Sequence, residues 1–234
     1  MVNIKRFKST ADTIKFLAEQ FIAAAVSSIQ EKEIFRVGLS GGNSPKPFFS
    51  LMANQYTEAL DWTKVEFYWI DERWVSIENE ESNYGNAYRI WLNKLPSRLF
   101  PMVKIVSNQE EQMRLYDQLL DAKFGNTYGL DWVLIGVGVD GHIASIFPND
   151  STGVQSEQKV FLAYHPVTLQ PRISMTIRFL LQSKQLFYLI TGKEKEHILN
   201  RLVANTIEMD DALPIEYLLR GSLNHLILTD IEGR

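Results

Sequence analysis

The chain has 234 residues, with 24 Lys and Arg against 28 Asp and Glu, a formal charge of −4, and 45% hydrophobic residues. That apolar content excludes a disordered chain and suffices for a core, and a single α/β domain over 1–234 is expected. The small acidic excess argues against nucleic acid as a partner. With no cysteine, disulfide scaffolds, thiolate metal sites and cysteine nucleophiles all fall away.

Met1 to Thr10 is mixed and charged, without the apolar centre of a signal peptide. No apolar run approaches the roughly 20 residues of a membrane helix. The expectation is a cytoplasmic protein, monomeric or weakly homo-oligomeric, that engages no membrane.

Ile14, Leu17, Phe21, Ala24, Ala25 and Ile29 recur at helical spacing and predict a helix over 10–30, behind a capping pair of Ser9 and Asp12. Ile34 to Leu39 reads as a strand closed by Ser40-Gly41-Gly42. Ser44-Pro45 follows as a helix start, Ser capping and Pro in the first turn. Val65 to Ile70 is a second strand, ending in Asp71-Glu72-Arg73. Helices are expected over 82–93 and 108–123. Trp132 to Val137 is a nearly continuous apolar strand, the kind buried on both faces of a parallel sheet. Further strands are expected over 159–164, 185–190 and 223–229, with a helix near 193–204. This alternation predicts an α/β fold, a mainly parallel sheet with helices on both faces. Ligands in such folds sit at the carboxyl ends of strands, so the loops after Leu39, Ile70 and Val137 matter most.

In Ser40-Gly41-Gly42-Asn43-Ser44, two glycines let the backbone approach a ligand, and the next helix offers free amides to a phosphate. The alternative is a tight turn in which glycine only relieves strain. Asp71-Glu72-Arg73-Trp74, with Ser82-Asn83-Tyr84-Gly85-Asn86 downstream, can orient an Arg fork toward phosphate. On local evidence it reads instead as a surface ion-pair cluster worth under about 1 kcal/mol.

Gly136, Gly138 and Gly141 match the dinucleotide pattern G-x-G-x-x-G. Pro148 comes too soon for the usual long helix, and the next apolar run ends in Tyr164-His165-Pro166 rather than an acidic ribose ligand. A nucleotide is therefore not expected. What remains is His142 beside Asp140 on a glycine loop at the binding edge, which points to acid/base chemistry. His165, His197 and His225 have no metal-ligand spacing, and there is no G-x-S-x-G elbow, so neither a metal nor a serine nucleophile is expected. Arg172 and Lys195 stand beside predicted strand ends, as solvated charges or as anion ligands.

Four blocks then carry a resemblance: Leu-Ser-Gly-Gly-Asn-Ser-Pro at 39–45; Asp-Glu-Arg at 71–73 with Ser-Asn-Tyr-Gly at 82–85; Gly-Val-Gly-Val-Asp-Gly-His-Ile-Ala-Ser-Ile-Phe-Pro at 136–148; and Pro-Arg-Ile-Ser-Met-Thr at 171–176 with Thr-Gly-Lys-Glu-Lys at 191–195. In this order they resemble the short bacterial 6-phosphogluconolactonases over nearly the whole chain. Related amino-sugar-phosphate isomerases share Asp-Gly-His-Ile-Ala but continue Phe-Asn-Glu-Pro. Here Ser145-Ile146-Phe147-Pro148 follows, as in the lactonases. The chain departs from the family's pattern at Asn43-Ser44, usually Ser-Thr, and at Gln182, usually Asn.

The resemblance implies a modified Rossmann-like fold without a nucleotide and hydrolysis of 6-phospho-D-glucono-1,5-lactone, with no cofactor. His142 would be the general acid/base, favoured in its neutral form by a helix N-terminus nearby, and Asp140 would orient it. Gly41, Gly42, Asn43, Asp71, Arg73, Arg172 and Lys195 would bind the sugar phosphate. A glucosamine 6-phosphate isomerase or deaminase is one alternative. A non-catalytic sugar-phosphate sensor is another, although no room for a DNA-binding helix pair is seen before Ile14.

Overall fold

The computed structural model describes residues 2–104, 108–125, 128–204, 211–222 and 224–232. In chain order these form β1 (Ile4–Arg6), α1 (Thr10–Lys32), β2 (Phe35–Leu39), α2 (Lys46–Gln55), β3 (Val65–Trp69), β4 (Asp71–Arg73), α3 (Asn83–Ile90), β5 (Arg98–Phe100) and α4 (Gln109–Phe124). There follow β6 (Trp132–Gly136), α5 (Thr152–Gln155), β7 (Val160–Tyr164), β8 (Pro171–Met175), α6 (Ile177–Leu180), β9 (Leu186–Ile190), α7 (Glu196–Ala204), α8 (Pro214–Gly221) and β10 (His225–Thr229). The strand expected over 223–229 is thus β10, with Leu223 outside the described residues. No helix of the described residues is long and apolar enough to cross a membrane.

Seven strands form one sheet in the order β1-β10-β9-β6-β2-β3-β5, every pair parallel. Strand alternation distributes the side chains of β3 to two helical layers. Phe67 stacks on Phe21 of α1, while its neighbour Tyr68 meets Phe100 and Phe124, the latter on α4. Trp132 at the start of β6 packs edge-on against Phe21 at 5.1 Å. Helices therefore cover both faces, and β3 throughout and β6 from Trp132 to Ile135 are buried, as a parallel sheet requires.

The helix starts follow their capping chemistry. Ser9 Oγ accepts the Asp12 amide at 3.1 Å and donates to the Asp12 carboxylate, so the capping pair forms. Ser82 caps α3 through the Gly85 amide. Ser44 does not cap α2. That helix begins one residue later than its sequence suggests, and the Ser44 hydroxyl accepts instead from Lys195 Nζ at 3.0 Å.

Two features position the site. From β2 the chain moves to β3 and β5 on one side, then returns to β6 on the other. The carboxyl ends of β2 and β6 thus flank a reversal of strand order, where ligands bind in open α/β sheets. The second feature departs from the expected loop after Ile70. Asp71–Arg73 is a strand, and it pairs antiparallel with β8, which pairs with β7, in a separate three-stranded sheet. The backbone passes between sheets at Ile70, whose amide still bonds Leu39 while its carbonyl accepts the Met175 amide. Arg172 consequently lies inside a strand rather than beside a strand end.

Candidate active site

A cavity of about 140 Å³ opens at the reversal point, lined by Ser40 to Ser44, Asp71, Arg73, Asn83, Gly136 to Gly138, His142, Ala144 and Arg172. It gathers Gly41, Gly42, Asn43, Asp71, Arg73, His142 and Arg172 of the residues singled out in the sequence. Asp140 joins it through His142, and Lys195 through its hydrogen bond to Ser44.

The His142 loop is a tight turn built on glycine. The Gly138 amide bonds the His142 carbonyl, the Gly141 amide bonds the Gly138 carbonyl, and Gly141 has φ 82°. A Cβ on Gly138 would overlap the His142 ring, so only glycine lets the imidazole fold back over its own loop. His142 Nδ1 then lies 2.6 Å from Asp140 Oδ1. Partial burial alone would raise the Asp140 carboxyl, but its hydrogen bonds with the His142 side chain and amide outweigh this and hold it down at about 2. An ionised carboxylate can only accept, which places the shared proton on Nδ1, so that in the neutral ring the lone pair is on Nε2. His142 is not followed by a helix. Residues 142–147 turn through two isolated bridges, Val137 with Ile143 and Ile143 with Ile146. The helix end that meets this loop belongs to α8, whose Ile215 amide is taken by the Gly141 carbonyl.

Asp71 and Glu72 are not a surface ion-pair cluster, being 4% and 2% exposed. Their partners come from far along the chain. Glu72 accepts the amides of Arg73, Asn83 and Tyr84 at 2.7–2.8 Å, and the Ser82 hydroxyl at 3.1 Å, so it holds the first turn of α3. Burial pushes its carboxyl up to about 7 despite those amides, and the Asp71 charge adds to the rise. Asp71 accepts from Asn83 Nδ2 and, at 2.7 Å, from Ser145 Oγ.

Across the β4–β8 pair, Arg73 faces Arg172 directly. Like charges opposite one another in a sheet repel. Arg73 Nη1 is bonded to the Glu81 carbonyl, but its Nε, the Nε of Arg172 and Oδ1 of Asn83 are buried without a protein partner. Buried polar atoms are rarely left so. All three belong to residues that line the cavity. Two facing guanidiniums with spare donors are what an anionic oxygen requires. Lys195, only 7% exposed, adds a third cation, its pKa lowered by burial although Glu194 and Asp230 oppose the shift.

Sequence reasoning gave no role to Glu72, Asn83, Ser145 or Phe147. Asn83 lay within a quoted block, but its contact with Asp71 spans 12 residues and that of Ser145 with Asp71 spans 74. Phe147 packs between the rings of His142 and His165, at 5.1 and 5.4 Å, with the Arg172 guanidinium 5.6 Å away.

The same combination of sheet and loops recurs in known proteins. The sequence profile described as glucosamine-6-phosphate isomerases/6-phosphogluconolactonase matches residues 8–227. The chain belongs to this family. Within it, the 6-phosphogluconolactonase of Haemophilus influenzae is 29% identical over 210 residues, 88% of each chain. That of Synechocystis is 30% identical over 76% of this chain and 75% of its own. The crystal structure of the 6-phosphogluconolactonase from Thermotoga maritima shares the fold, with a TM-score of 0.83 at 24% identity over 98% of this chain and 99% of that one.

Proposed function

We propose that this family member hydrolyses 6-phospho-D-glucono-1,5-lactone to 6-phospho-D-gluconate, a step of the oxidative pentose phosphate pathway. The observation that carries the reading is that the Asp140–His142 pair opens onto the same cavity as the facing Arg73 and Arg172. A proton acceptor and a set of anion-binding donors together suit an ester that carries a phosphate. The lactonase names of the relatives in both comparisons agree with it.

His142 Nε2 removes a proton from water as the water oxygen bonds to C1 of the lactone. The C1 to ring-oxygen bond then breaks, and the imidazolium returns the proton to the departing ring oxygen. Asp140 keeps the ring in the tautomer that can act and stabilises the imidazolium. The amides of Gly41 and Gly42, with Asn43, Lys195 and Arg73, hold the phosphate, while Arg172 and Asp71 complete the wall. A lactone is an activated ester, so this route needs no covalent intermediate.

The test generates the lactone in place with glucose-6-phosphate dehydrogenase and follows its disappearance over the spontaneous background. Wild type accelerates the loss, His142→Ala lowers kcat by about 10²–10⁴-fold, and Arg73→Ala raises KM first. A folded wild type that adds nothing to the background, yet releases ammonia from glucosamine 6-phosphate, would replace the lactonase reading with the deaminase one.

A further inference from the structure

Between Asp71 and Arg172 stands a third side chain. Ser145 is fully buried, three residues beyond His142 on the same loop. Its hydroxyl donates to Asp71 Oδ2 at 2.7 Å and accepts from Arg172 Nη1 at 3.4 Å, while its amide donates to Ser174 Oγ on β8. The two charged groups it separates are 3.9 Å apart, Nη1 to Oδ2.

That distance is unusual for a buried guanidinium beside a buried carboxylate, which ordinarily close to a bidentate pair near 2.8 Å. Arg172 forgoes that pairing. Its other polar contact is Nη2 to Gln170 Oε1, also 3.4 Å, and its Nε has no partner. Asp71, by contrast, is satisfied, Oδ1 by Asn83 Nδ2 and Oδ2 by the Ser145 hydroxyl. The hydroxyl therefore occupies the carboxylate position that would otherwise capture Arg172.

We infer that Ser145 is a positioning residue that keeps Arg172 from pairing with Asp71, so that the guanidinium stays open to an anionic oxygen of the ligand. It rests on the proposed function only in taking that ligand to be a sugar phosphate or its carboxylate product. Without the hydroxyl, Asp71 Oδ2 loses its donor inside the protein, and Arg172 Nη1 is the donor within reach. Closure of the pair then withdraws Arg172 from the cavity. The hydroxyl also ties the catalytic loop to the second sheet, so the group that sets Arg172 is carried by the same loop as His142.

The experiment is a double-mutant cycle read by calorimetric titration of inorganic phosphate and of 6-phospho-D-gluconate into wild type, Ser145→Ala, Arg172→Ala and the double variant. Ser145→Ala is expected to weaken at least one of the two ligands by about tenfold, the size of one charge-assisted hydrogen bond. In the Arg172→Ala background it should cost nothing more, because no guanidinium remains to be captured. A loss confined to 6-phospho-D-gluconate places Arg172 at the carboxylate end of the ligand, and a loss shared by phosphate places it at the phosphate. Unchanged affinity for both ligands, or losses that add in full, would overturn the assignment, as would a wild type that binds neither. Should Ser145→Ala not fold, Ser145→Cys supplies the same arm, since a thiol is a weak donor in the same position. Titration needs no turnover. A wild type that binds the anions without opening the lactone would therefore remove the proposed function while the cycle still decides the role of Ser145.

Discussion

Gly41 runs so close to the Asn83 carboxamide that any side chain at 41 would overlap it. The contact joins the glycine loop after β2 to the first turn of α3, and Asn83 in turn holds Asp71 through its carbonyl and its carboxylate at 2.9 and 3.1 Å. Gly41→Ala must therefore push Asn83 off Asp71. We expect a stability loss of about 1–3 kcal/mol, as for overpacking a tight site, together with a raised KM. Gly42 is the control. Its φ is 79° but a Cβ there meets no atom, so Gly42→Ala should cost about 1–2 kcal/mol of backbone strain and leave Asn83 in place. Thermal melts and KM for the two variants separate the cases. Equal KM values would show that the Asn83 contact is immaterial to the site.

Asp140 has a partner that only a carboxylate suits. Asparagine keeps the shape but can offer an N–H toward His142 Nδ1, which favours the opposite tautomer and removes the lone pair from Nε2. Asp140→Asn is expected to lower kcat by about 10²-fold or more while KM moves little. A variant with full turnover would reduce Asp140 to a turn-forming residue.

Glu72 makes stability depend on pH in a direction opposite to that of most carboxylates. Its folded pKa is raised to about 7 from an ordinary 4.5. Between those values the folded chain keeps a proton that the unfolded chain has lost. The contribution of this group to stability therefore falls as pH rises from about 4.5 to 7, by at most about 1.4 kcal/mol per unit. Glu72→Gln cannot titrate. Urea melts at pH 5 and pH 7 should show the variant gaining on wild type at the higher pH, whatever its absolute stability. A difference constant with pH would assign the ionisation elsewhere.

The parallel sheet was legible because its strands advertise themselves. Val65 to Trp69 is apolar but for Glu66, Trp132 to Gly136 is an apolar run ahead of a glycine loop, and buried parallel strands have that composition. His142 was legible for a related reason, its glycines marking a backbone that approaches something closely. Of the second sheet only β7, expected over 159–164, was legible. Asp71–Arg73 and Pro171–Met175 are short and carry charges, so neither the period nor the composition of a strand shows. What makes such residues a strand is pairing with a segment about 100 residues away. The burial of Asp71 and Glu72 escaped for the same reason, since a carboxylate is buried only when donors meet it, and these donors sit on α3 and the His142 loop. Ser44 reads as a cap from its neighbours alone, and only the fold brings Lys195 to its hydroxyl.

Lys195 offers a prediction in which stability and function part company. Its ammonium is buried and donates a hydrogen bond to Ser44 Oγ, and burial lowers its pKa against the pull of Glu194 and Asp230. A lowered lysine pKa means that folding disfavours the cation, so this group's penalty is present at neutral pH. It is relieved only as pH climbs through that lowered value toward the ordinary 10.5. Lys195→Met keeps the length and removes the charge, and replacing a buried charge with an apolar side chain is often neutral or stabilising by about 1–4 kcal/mol. Without ligand, the variant should therefore melt at or above the wild-type temperature at pH 7, and the gap should narrow at high pH. Its KM should rise at the same time, because the cation that folding tolerates at a cost is available to the phosphate. Added inorganic phosphate should then stabilise wild type more than Lys195→Met, since only a ligand that binds the folded state raises its stability. A variant that loses stability and keeps its KM would mark Lys195 as a structural support of the Ser44 loop, with no part in holding the substrate.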